Sequence, residues 1–364
     1  MNICHVVGAR PNFMKAAPVM SALTQHRGIV QRLVHTGQHF DANMSDVFFQ
    51  QLGLPEPAVN LEVGSGSHAA QTAQIMVRFE QVVRAEQPDL VLVYGDVNST
   101  LAAALVCAKL NIPVGHVEAG LRSFDRTMPE EVNRLLTDRI ADLLFTPSAD
   151  GDANLLAEGI DRDSIFLVGN VMIDTLVRLI PVADTLDVMD RLGLSPEGYV
   201  LVTLHRPSNV DDPIHLAAIM AALDSLSREL TVVFPVHPRT RQRLQSLEPD
   251  RQQTRHHTNV LLLEPLDYLS FLKLQRHAAA VVTDSGGIQE ETTFLGIPCL
   301  TLRENTERPV TISVGTNQLV GHDMGLLVEQ VHRIIAGQRK QGNIPPLWDG
   351  RSAERIAQVI VSKW

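Results

Sequence analysis

Polar side chains suited to acid–base chemistry come directly after several predicted apolar strands. Asp96 follows LVLVYG, Glu118 follows VGHV, His205 follows YVLVTL and His237 follows TVVFPV. In open parallel sheets, ligands collect outside the carboxyl ends of the strands, where loops and helix N-termini meet. Carboxylates that share such an edge can divide the roles of base and acid. The sequence therefore predicts acid–base roles for Asp96 and Glu118, whereas the two histidines suit the oxygen atoms of a phosphate or sugar.

A third carboxylate, Glu130, has two interpretations. It stands with Glu131 directly after Pro129, at the predicted start of a helix, where acidic residues ordinarily complement the helix dipole. It also follows the HVEAGLR segment that contains Glu118. We therefore include Glu130 among the acid–base candidates, with a role at the helix terminus as the alternative.

Two predicted loops between a strand and a helix are suited to binding an anion. The first, GARPN at 8–12, sets Arg10 and Lys15 near a helix N-terminus, although a tight turn with solvent-facing charges explains it equally well. The second, TDSGGIQEE at 283–291, offers backbone amides that can face a diphosphate. Its candidate ligands are Ser285, Gly286, Gly287 and a glutamate, Glu290 or Glu291, that could bond ribose hydroxyls or only complement the helix dipole. Neither loop is a Walker or GxGxxG motif, which disfavours ATP or nicotinamide chemistry.

Composition limits the class of protein. The 364 residues include 31 Lys and Arg against 41 Asp and Glu, a net charge of −10, so an extended basic surface for nucleic acid is not expected. No Cys/His spacing is typical of a zinc site, and we predict no metal. The chain starts on an apolar strand pattern, no apolar run reaches the roughly 18 residues that cross a bilayer, and three cysteines cannot all pair. These features favour a cytoplasmic protein without a membrane segment.

The elements that position these residues follow one pattern twice. Short apolar runs alternate with longer helical patterns, which predicts parallel strands with helical crossovers, and the second series begins after residue 198. We predict an N-terminal Rossmann-like domain at 1–172, joined by a C-terminal helix at 352–364, and a second Rossmann-like domain at 173–351. The linking segment has helical spacing that we expect Pro181 to break. The cleft between two such domains is the expected active site.

Ordered motifs through nearly the whole chain resemble the non-hydrolysing UDP-N-acetylglucosamine 2-epimerases, a family with the two-domain GT-B fold. The motifs are GARPNFMKAAP at 8–18, YGDVNSTLA at 94–102, GHVEAGLRSFDRTMPEEVNR at 115–134, TLHRPSNVDD at 203–212, FPVHPRT at 234–240, TDSGGIQEE at 283–291 and TERPVT at 306–311. The resemblance implies a homodimer that needs no cofactor and serves polysaccharide biosynthesis.

The resemblance also implies roles for individual residues. Asp96, Glu118 and Glu130 match the carboxylates implicated in catalysis, His205 is a fourth catalytic candidate, and Lys15 and His237 match other substrate positions. UDP would lie on the second domain, with Ser285 and Gly286 on the diphosphate, Glu291 on the ribose, Phe271 near the uracil, and Arg10, His205 and Arg308 around the phosphates. The implied reaction removes the C2 proton, expels UDP to leave a 2-acetamidoglucal, and adds UDP back with the opposite C2 configuration.

Other functions remain open from the sequence. The GQHFDANMS and HRPSNVDD segments also resemble relatives that act on UDP-2,3-diacetamido-2,3-dideoxyglucuronic acid. A GT-B glycosyltransferase or a catalytically silent nucleotide-sugar sensor would share the nucleotide-binding half, but neither needs the Asp96, Glu118 and Glu130 set. Some bacterial relatives grip an activating second substrate through a Gln-His-x-Gln stretch, where this chain has Asp41 in place of the last Gln.

Overall fold

The computed structural model describes residues 1–38, 52–247 and 259–364. These residues form two compact units: unit 1 comprises residues 1–175 and 346–364, and unit 2 comprises residues 176–345. Each unit is built on one parallel sheet with helices between the strands. The predicted α/β class with two Rossmann-like sheets is therefore confirmed. None of the helices in the described part of the chain is long and apolar enough to span a membrane.

Unit 1 has a seven-stranded sheet in the order β3-β2-β1-β4-β5-β6-β7. Its strands are β1 (Asn2–Val7), β2 (Val30–His35), β3 (Val59–Asn60), β4 (Leu90–Tyr94), β5 (Val114–Val117), β6 (Leu143–Thr146) and β7 (Ile165–Leu167). Its helices are α1 (Arg10–Thr24), α2 (His68–Glu86), α3 (Asn98–Leu110), α4 (Pro129–Ile140), α5 (Ala149–Ala157), the first part of α6 (Val171–Asp184) and, at the C-terminal end, α15 (Ser352–Lys363). The central strands read as continuous apolar runs because helices cover both of their faces.

The C-terminal segment returns to unit 1. Helix α15 packs against α1, and the buried carboxylate of Asp174 accepts hydrogen bonds from the backbone N–H groups of Ser352 and Ala353 at 3.1 and 2.7 Å. The indole N–H of Trp348 donates to the Pro147 carbonyl at 2.8 Å. These buried contacts attach residues 346–364 to the first sheet.

Unit 2 has a six-stranded sheet in the order β10-β9-β8-β11-β12-β13. Its strands are β8 (Tyr199–Thr203), β9 (Thr231–Pro235), β10 (Val260–Leu263), β11 (Ala280–Thr283), β12 (Cys299–Thr301) and β13 (Asn317–Leu319). Its further helices are α7 (Val188–Arg191), α8 (Pro207–Val210), α9 (Pro213–Leu226), α10 (Pro238–Leu247), α11 (Tyr268–His277), α12 (Gly286–Leu295), α13 (Val310–Ser313) and α14 (Met324–Ile335). As in unit 1, the central strands β8 and β11 are buried along nearly their whole length.

The predicted break at Pro181 is wrong. Helix α6 runs through this residue and ends at Asp184. The proline removes one hydrogen bond near the end of the helix, while the buried series Leu176, Leu179 and Ala183 continues across it with helical spacing. Pro181 itself is exposed. Packing of the apolar face on one side thus outweighs the lost hydrogen bond on the other.

Candidate functional site

Two of the predicted carboxylates end neighbouring strands of unit 1. Strands β4 and β5 pair in parallel, with Tyr94 opposite Val117, so the loops that carry Asp96 and Glu118 leave the same edge of the sheet. Glu130 lies in the first turn of α4, which begins at Pro129 as its sequence predicts. We call Asp96, Glu118 and Glu130 the carboxylate set.

Glu118 is buried in a strained conformation beside a cation. Its φ of 77° lies in the left-handed region, which costs a non-glycine residue about 1–3 kcal/mol and persists only where the surroundings enforce it. Its Oε2 forms an ion pair with Nζ of Lys15 from α1, and both side chains are buried. A Cβ at Gly95 would lie only 2.8 Å from this Nζ, so the glycine leaves the space that the ion pair occupies.

Asp96 is held by a buried arginine. Nη1 of Arg134 donates to Oδ2 of Asp96, while Nε and Nη2 of the same guanidinium donate to Glu131 Oε2 at 3.0 and 2.6 Å. The side chain of Arg134 is 2% exposed and that of Asp96 is 26% exposed. The guanidinium therefore compensates the negative charge of Asp96, whose side chain remains partly accessible.

Glu131 does more than complement the helix dipole at the start of α4, which is the role that its sequence position suggested. It is buried, and it accepts hydrogen bonds from the backbone N–H groups of Ser123 and Phe124 at 3.0 and 2.9 Å. Burial alone would raise the pKa of Glu131, but these bonds and the ion pair with Arg134 hold it below the ordinary value. Glu131 thus connects the loop after β5 to the arginine that holds Asp96.

Glu130 differs from the other two carboxylates. It is half-buried, and within the described ranges it has neither a hydrogen bond nor an ion pair. The carboxylate set thus contains two residues with a buried cation of their own and one that is available to another group.

A buried histidine–aspartate pair supports the same edge, and sequence reasoning missed it. His116, inside β5, lies with Nδ1 2.6 Å from Asp138 Oδ1 and Nε2 2.8 Å from the Gly95 carbonyl. Because both partners are acceptors, we assign hydrogens to both ring nitrogens. Burial would raise the pKa of Asp138, but His116 and Arg122 hold it low. The signal was a histidine in an otherwise apolar, buried strand.

In the first predicted anion loop, two backbone N–H groups already donate hydrogen bonds within the loop itself. Asn12 Oδ1 accepts from the backbone N–H groups of Gly8 and Ala9 at 3.0 and 3.1 Å, so these two amides do not face outward as donors. Arg10 begins α1 and is half-buried.

The segment that departs from the activator motif is described only at its first residue. Gln38 is buried against Ser99, whereas His39, Phe40 and Asp41 lie outside the described residues.

The second predicted anion loop opens the ten-residue helix α12 in unit 2. Ser285 precedes the helix without a side-chain capping bond, and Gly286 and Gly287 form its first positions. A Cβ at Gly286 would lie 2.3 Å from Nη1 of Arg308, so this glycine allows the guanidinium to lie against the start of the helix. Arg308 is buried and ion-paired with Glu290 at 2.8 Å and with Glu307.

His205 lies at the same edge of the second sheet. It follows β8, which pairs with β11, the strand that leads into α12. Its side chain is 56% exposed, and its Nδ1 lies 2.9 Å from Oδ1 of Asp284, which is fully buried. We call the start of α12 (Ser285, Gly286 and Gly287), His205 and Arg308 the anion set.

The remaining predicted ligands of unit 2 lie on neighbouring elements. Glu291 is buried in α12 and accepts a hydrogen bond from the hydroxyl of Tyr268 at 2.8 Å. Phe271 is a half-buried residue of α11, and His237 is exposed where β9 meets α10. Tyr268 was missed because nothing in DYLSFLKL distinguishes its hydroxyl as a partner of Glu291. Across residues 1–38, 52–247 and 259–364, no group of three or more His, Cys, Asp or Glu side chains is arranged to hold a metal ion.

Comparison with known proteins identifies similar chains. The sequence model of the family described as UDP-N-acetylglucosamine 2-epimerase matches residues 21–361. The chain is 40% identical to the UDP-N-acetylglucosamine 2-epimerase of Methanocaldococcus jannaschii over 99% of both proteins. It is 41% identical to the UDP-2,3-diacetamido-2,3-dideoxy-D-glucuronate 2-epimerase of Pseudomonas aeruginosa, again over 99% of both. The crystal structure of the Methanocaldococcus jannaschii epimerase in complex with UDP-GlcNAc and UDP is similar at a TM-score of 0.90, with 40% identity and complete coverage of both chains.

Proposed function

The chain belongs to the UDP-N-acetylglucosamine 2-epimerase family, and we propose that it interconverts UDP-N-acetylglucosamine and UDP-N-acetylmannosamine without hydrolysing the nucleotide. One observation carries the proposal beyond family membership. Asp96 and Glu118 end neighbouring strands, and each is held by its own buried cation, Arg134 or Lys15. Two carboxylates that share one edge of a sheet, each positioned by a buried cation, are suited to take a proton from a substrate carbon and to return one.

The reaction assigns the carboxylate set to the C2 proton. A base takes the proton from C2, the C1–O bond breaks, and its electron pair leaves on the β-phosphate oxygen of UDP, giving a 2-acetamidoglucal. In the return step the UDP oxygen attacks C1, and a proton is added to the opposite face of C2. Because a proton leaves one face and arrives at the other, two groups are needed. We draw both from Asp96, Glu118 and Glu130.

The anion set binds UDP in this proposal. The N–H groups at the start of α12 and the positive end of its dipole suit a diphosphate, and Arg308 lies against the same helix turn. We assign Glu291 to the ribose, Phe271 to the uracil, and Arg10, Lys15 and His237 to other parts of the UDP-sugar. The N–H groups of α12, Arg308 and His205 stabilise the negative charge that builds up on UDP as it departs.

A second substrate is supported by one comparison. The relative that acts on UDP-2,3-diacetamido-2,3-dideoxy-D-glucuronate is 41% identical to this chain, against 40% for the UDP-N-acetylglucosamine enzyme of Methanocaldococcus jannaschii. Both substrates would pass through the same steps at C1 and C2, so the carboxylate set serves either. The difference lies in the substituents at C3 and C6 of the sugar.

Proton NMR in D2O tests the proposal. The protein is incubated with UDP-N-acetylglucosamine, and the C2 and anomeric signals are followed. We expect UDP-N-acetylmannosamine with deuterium at C2 and the nucleotide still attached. Free N-acetylmannosamine would show a hydrolysing enzyme instead. An unchanged spectrum, together with turnover of the diacetamido-uronic acid substrate, would transfer the proposal to that sugar, and no reaction with either would contradict epimerisation.

We further propose that the protein acts as a homodimer in the cytoplasm and supplies polysaccharide biosynthesis. The support is family membership and the match along nearly the whole chain. Light scattering coupled to size-exclusion chromatography tests the oligomeric state. A mass of twice 40.1 kDa is expected, and a monomer under assay conditions would contradict the dimer.

A further inference from the structure

Asp284 is a fully buried carboxylate that the proposed chemistry has not used. It stands between β11 and α12 and cannot reach a ligand directly, because none of its side chain is exposed. Its oxygens accept the backbone N–H of His205 at 3.0 Å and of Arg206 at 2.9 Å, and the side-chain amide of Asn209 at 3.0 Å. The fourth contact is the imidazole of His205, whose Nδ1 lies 2.9 Å from Oδ1.

This contact decides which ring nitrogen of His205 carries a hydrogen. Burial alone would raise the pKa of Asp284, but the bonds from His205, Asn209 and Arg206 hold it below the ordinary value, so the group is a carboxylate. A carboxylate only accepts hydrogen bonds, and Nδ1 of His205 must therefore be protonated. In the neutral ring, Nε2 then presents a lone pair.

A bare Nε2 is unsuited to a diphosphate, since two acceptors would face each other. A hydrogen on Nε2 as well as on Nδ1 makes the ring an imidazolium, which donates to an anion at Nε2 while Asp284 compensates the charge at Nδ1. We propose that Asp284 is a positioning residue that fixes Nδ1–H of His205, so that this ring binds the UDP diphosphate as an imidazolium through Nε2–H. The proposal rests on the proposed function for its ligand, UDP, and for the bond cleavage at which His205 acts, whereas the protonation of the ring in the UDP complex is tested without turnover.

The proton balance is simple. A neutral His205 takes one proton from solvent when UDP binds, and the ring keeps it through the reaction. When the C1–O bond breaks, the electron pair goes to the β-phosphate oxygen, and the Nε2–H group donates a hydrogen bond to the charge that develops there. The ring returns the proton to solvent when UDP leaves.

Nitrogen NMR of the histidine side chains tests the assignment in the wild-type protein. His205 is assigned in ¹⁵N-histidine-labelled protein by the signals that disappear in His205→Gln. We expect Nδ1 to be protonated with and without UDP, and both ring nitrogens to be protonated in the UDP complex. Loss of the proton from Nδ1 in either state, or an unprotonated Nε2 in the complex, would overturn the proposal.

Kinetics of matched variants separate positioning from support of the fold. Asp284→Asn keeps the shape but places an amide opposite Nδ1, and we expect kcat to fall roughly 10- to 100-fold. In a protein that already carries His205→Gln, Asp284→Asn should lower kcat by less than about 2-fold. An equal loss in both backgrounds would show that Asp284 acts only on the loop, contradicting the proposal.

A control and a fallback complete the design. Asp323 caps α14 by accepting from the N–H of Leu326 at 2.8 Å, and Asp323→Asn should leave kcat unchanged because asparagine caps equally well. If Asp284→Asn does not fold, the NMR result on wild-type protein decides. If UDP-N-acetylglucosamine is not turned over at all, the proposed function fails, while the histidine signals with UDP still confirm or refute this inference.

Discussion

The carboxylate set of unit 1 and the anion set of unit 2 both lie at the carboxyl ends of parallel strands, yet they use charge in opposite ways. In unit 1 the accessible group is the anion Asp96, and the supporting Arg134 is the cation. In unit 2 the accessible group is His205, and the supporting Asp284 is the anion. The support is the more buried member each time: Arg134 is 2% exposed against 26% for Asp96, and Asp284 is 0% exposed against 56% for His205.

This comparison shows how one fold class provides two kinds of site. Taking a charge out of water costs several kcal/mol unless it is paired, so each site uses a buried partner to hold its accessible group. Carboxylates held by cations suit transfer of a proton at carbon, whereas a helix N-terminus with a histidine and an arginine suits a diphosphate. Changes in the carboxylate set should therefore affect turnover above all, and changes in the anion set should affect the binding of UDP and the stabilisation of its departing charge.

The largest expected effect on stability comes from Gly120→Ala, beside the carboxylate set. Gly120 has a φ of 81°, and a Cβ there would lie 2.5 Å from the backbone carbonyl oxygen of Gly151. Backbone cannot move aside as a flexible side chain can, so we expect the free energy of unfolding to fall by about 3 kcal/mol or more. Urea denaturation followed by circular dichroism measures it. A loss under about 1 kcal/mol would show that the two segments separate easily.

The second effect concerns pH and is specific to unit 1. Burial raises the pKa of Asp174 to about 6, from an ordinary 3.8, although two backbone N–H groups of α15 oppose the shift. Because the folded-state value is the higher one, its contribution to stability is full below pH 4 and is lost as the pH rises through about 6. The shift corresponds to about 3 kcal/mol.

Asp174→Asn isolates this contribution, since other groups titrate equally in both proteins. The unfolding free energy of wild type minus that of the variant should fall as the pH rises from 4 to 7. Chemical denaturation at each pH measures the difference. A difference that rises with pH would mean that the N–H groups of Ser352 and Ala353 outweigh burial at this site.

The smallest expected effect is on UDP binding and comes from Gly286→Ala in the anion set, a glycine-to-alanine substitution like Gly120→Ala. In Gly286→Ala the added Cβ meets the guanidinium of Arg308 rather than backbone, so Arg308 must shift from the start of α12. We expect the Kd for UDP to rise about tenfold, or about 1.4 kcal/mol, with little loss of stability. Calorimetric titration measures it. Gly66→Ala, outside both sets, is the control, because a Cβ there meets its nearest heavy atom only at 4.0 Å, and equal weakening by both would contradict a role for Arg308.

The sequence indicated much of the architecture and the positions of many polar groups, for a definable reason. Asp96, Glu118 and His205 stand next to apolar runs, and the end of a buried parallel strand has a known place in the sheet. The same reasoning placed Ser285 and Gly286 at the start of a helix. Local pattern was sufficient wherever position along the chain determines position in the sheet.

The supporting partners could not be predicted in this way. Asp284 and His205 are 79 residues apart in the chain, and Asp96 and Arg134 are 38 apart, so their pairing depends on how strands and helices pack. The position of Glu131 in the sequence predicted that it complements the helix dipole, yet it is buried against Arg134 and the loop after β5. The break expected at Pro181 failed for a related reason, because the apolar face of α6 continues past it.

Parallel measurement of turnover and UDP affinity in Asp96→Asn tests the central claim, that the carboxylate set performs the chemistry while the anion set binds the nucleotide. Asparagine keeps an acceptor for Arg134 but loses the charge, and Asp89→Asn, at the other end of β4, is the matched control. We expect kcat to fall by about 10³-fold or more while the Kd for UDP changes by less than about 3-fold. A Kd that weakens as much as kcat, or a kcat that stays near the control, would contradict the account.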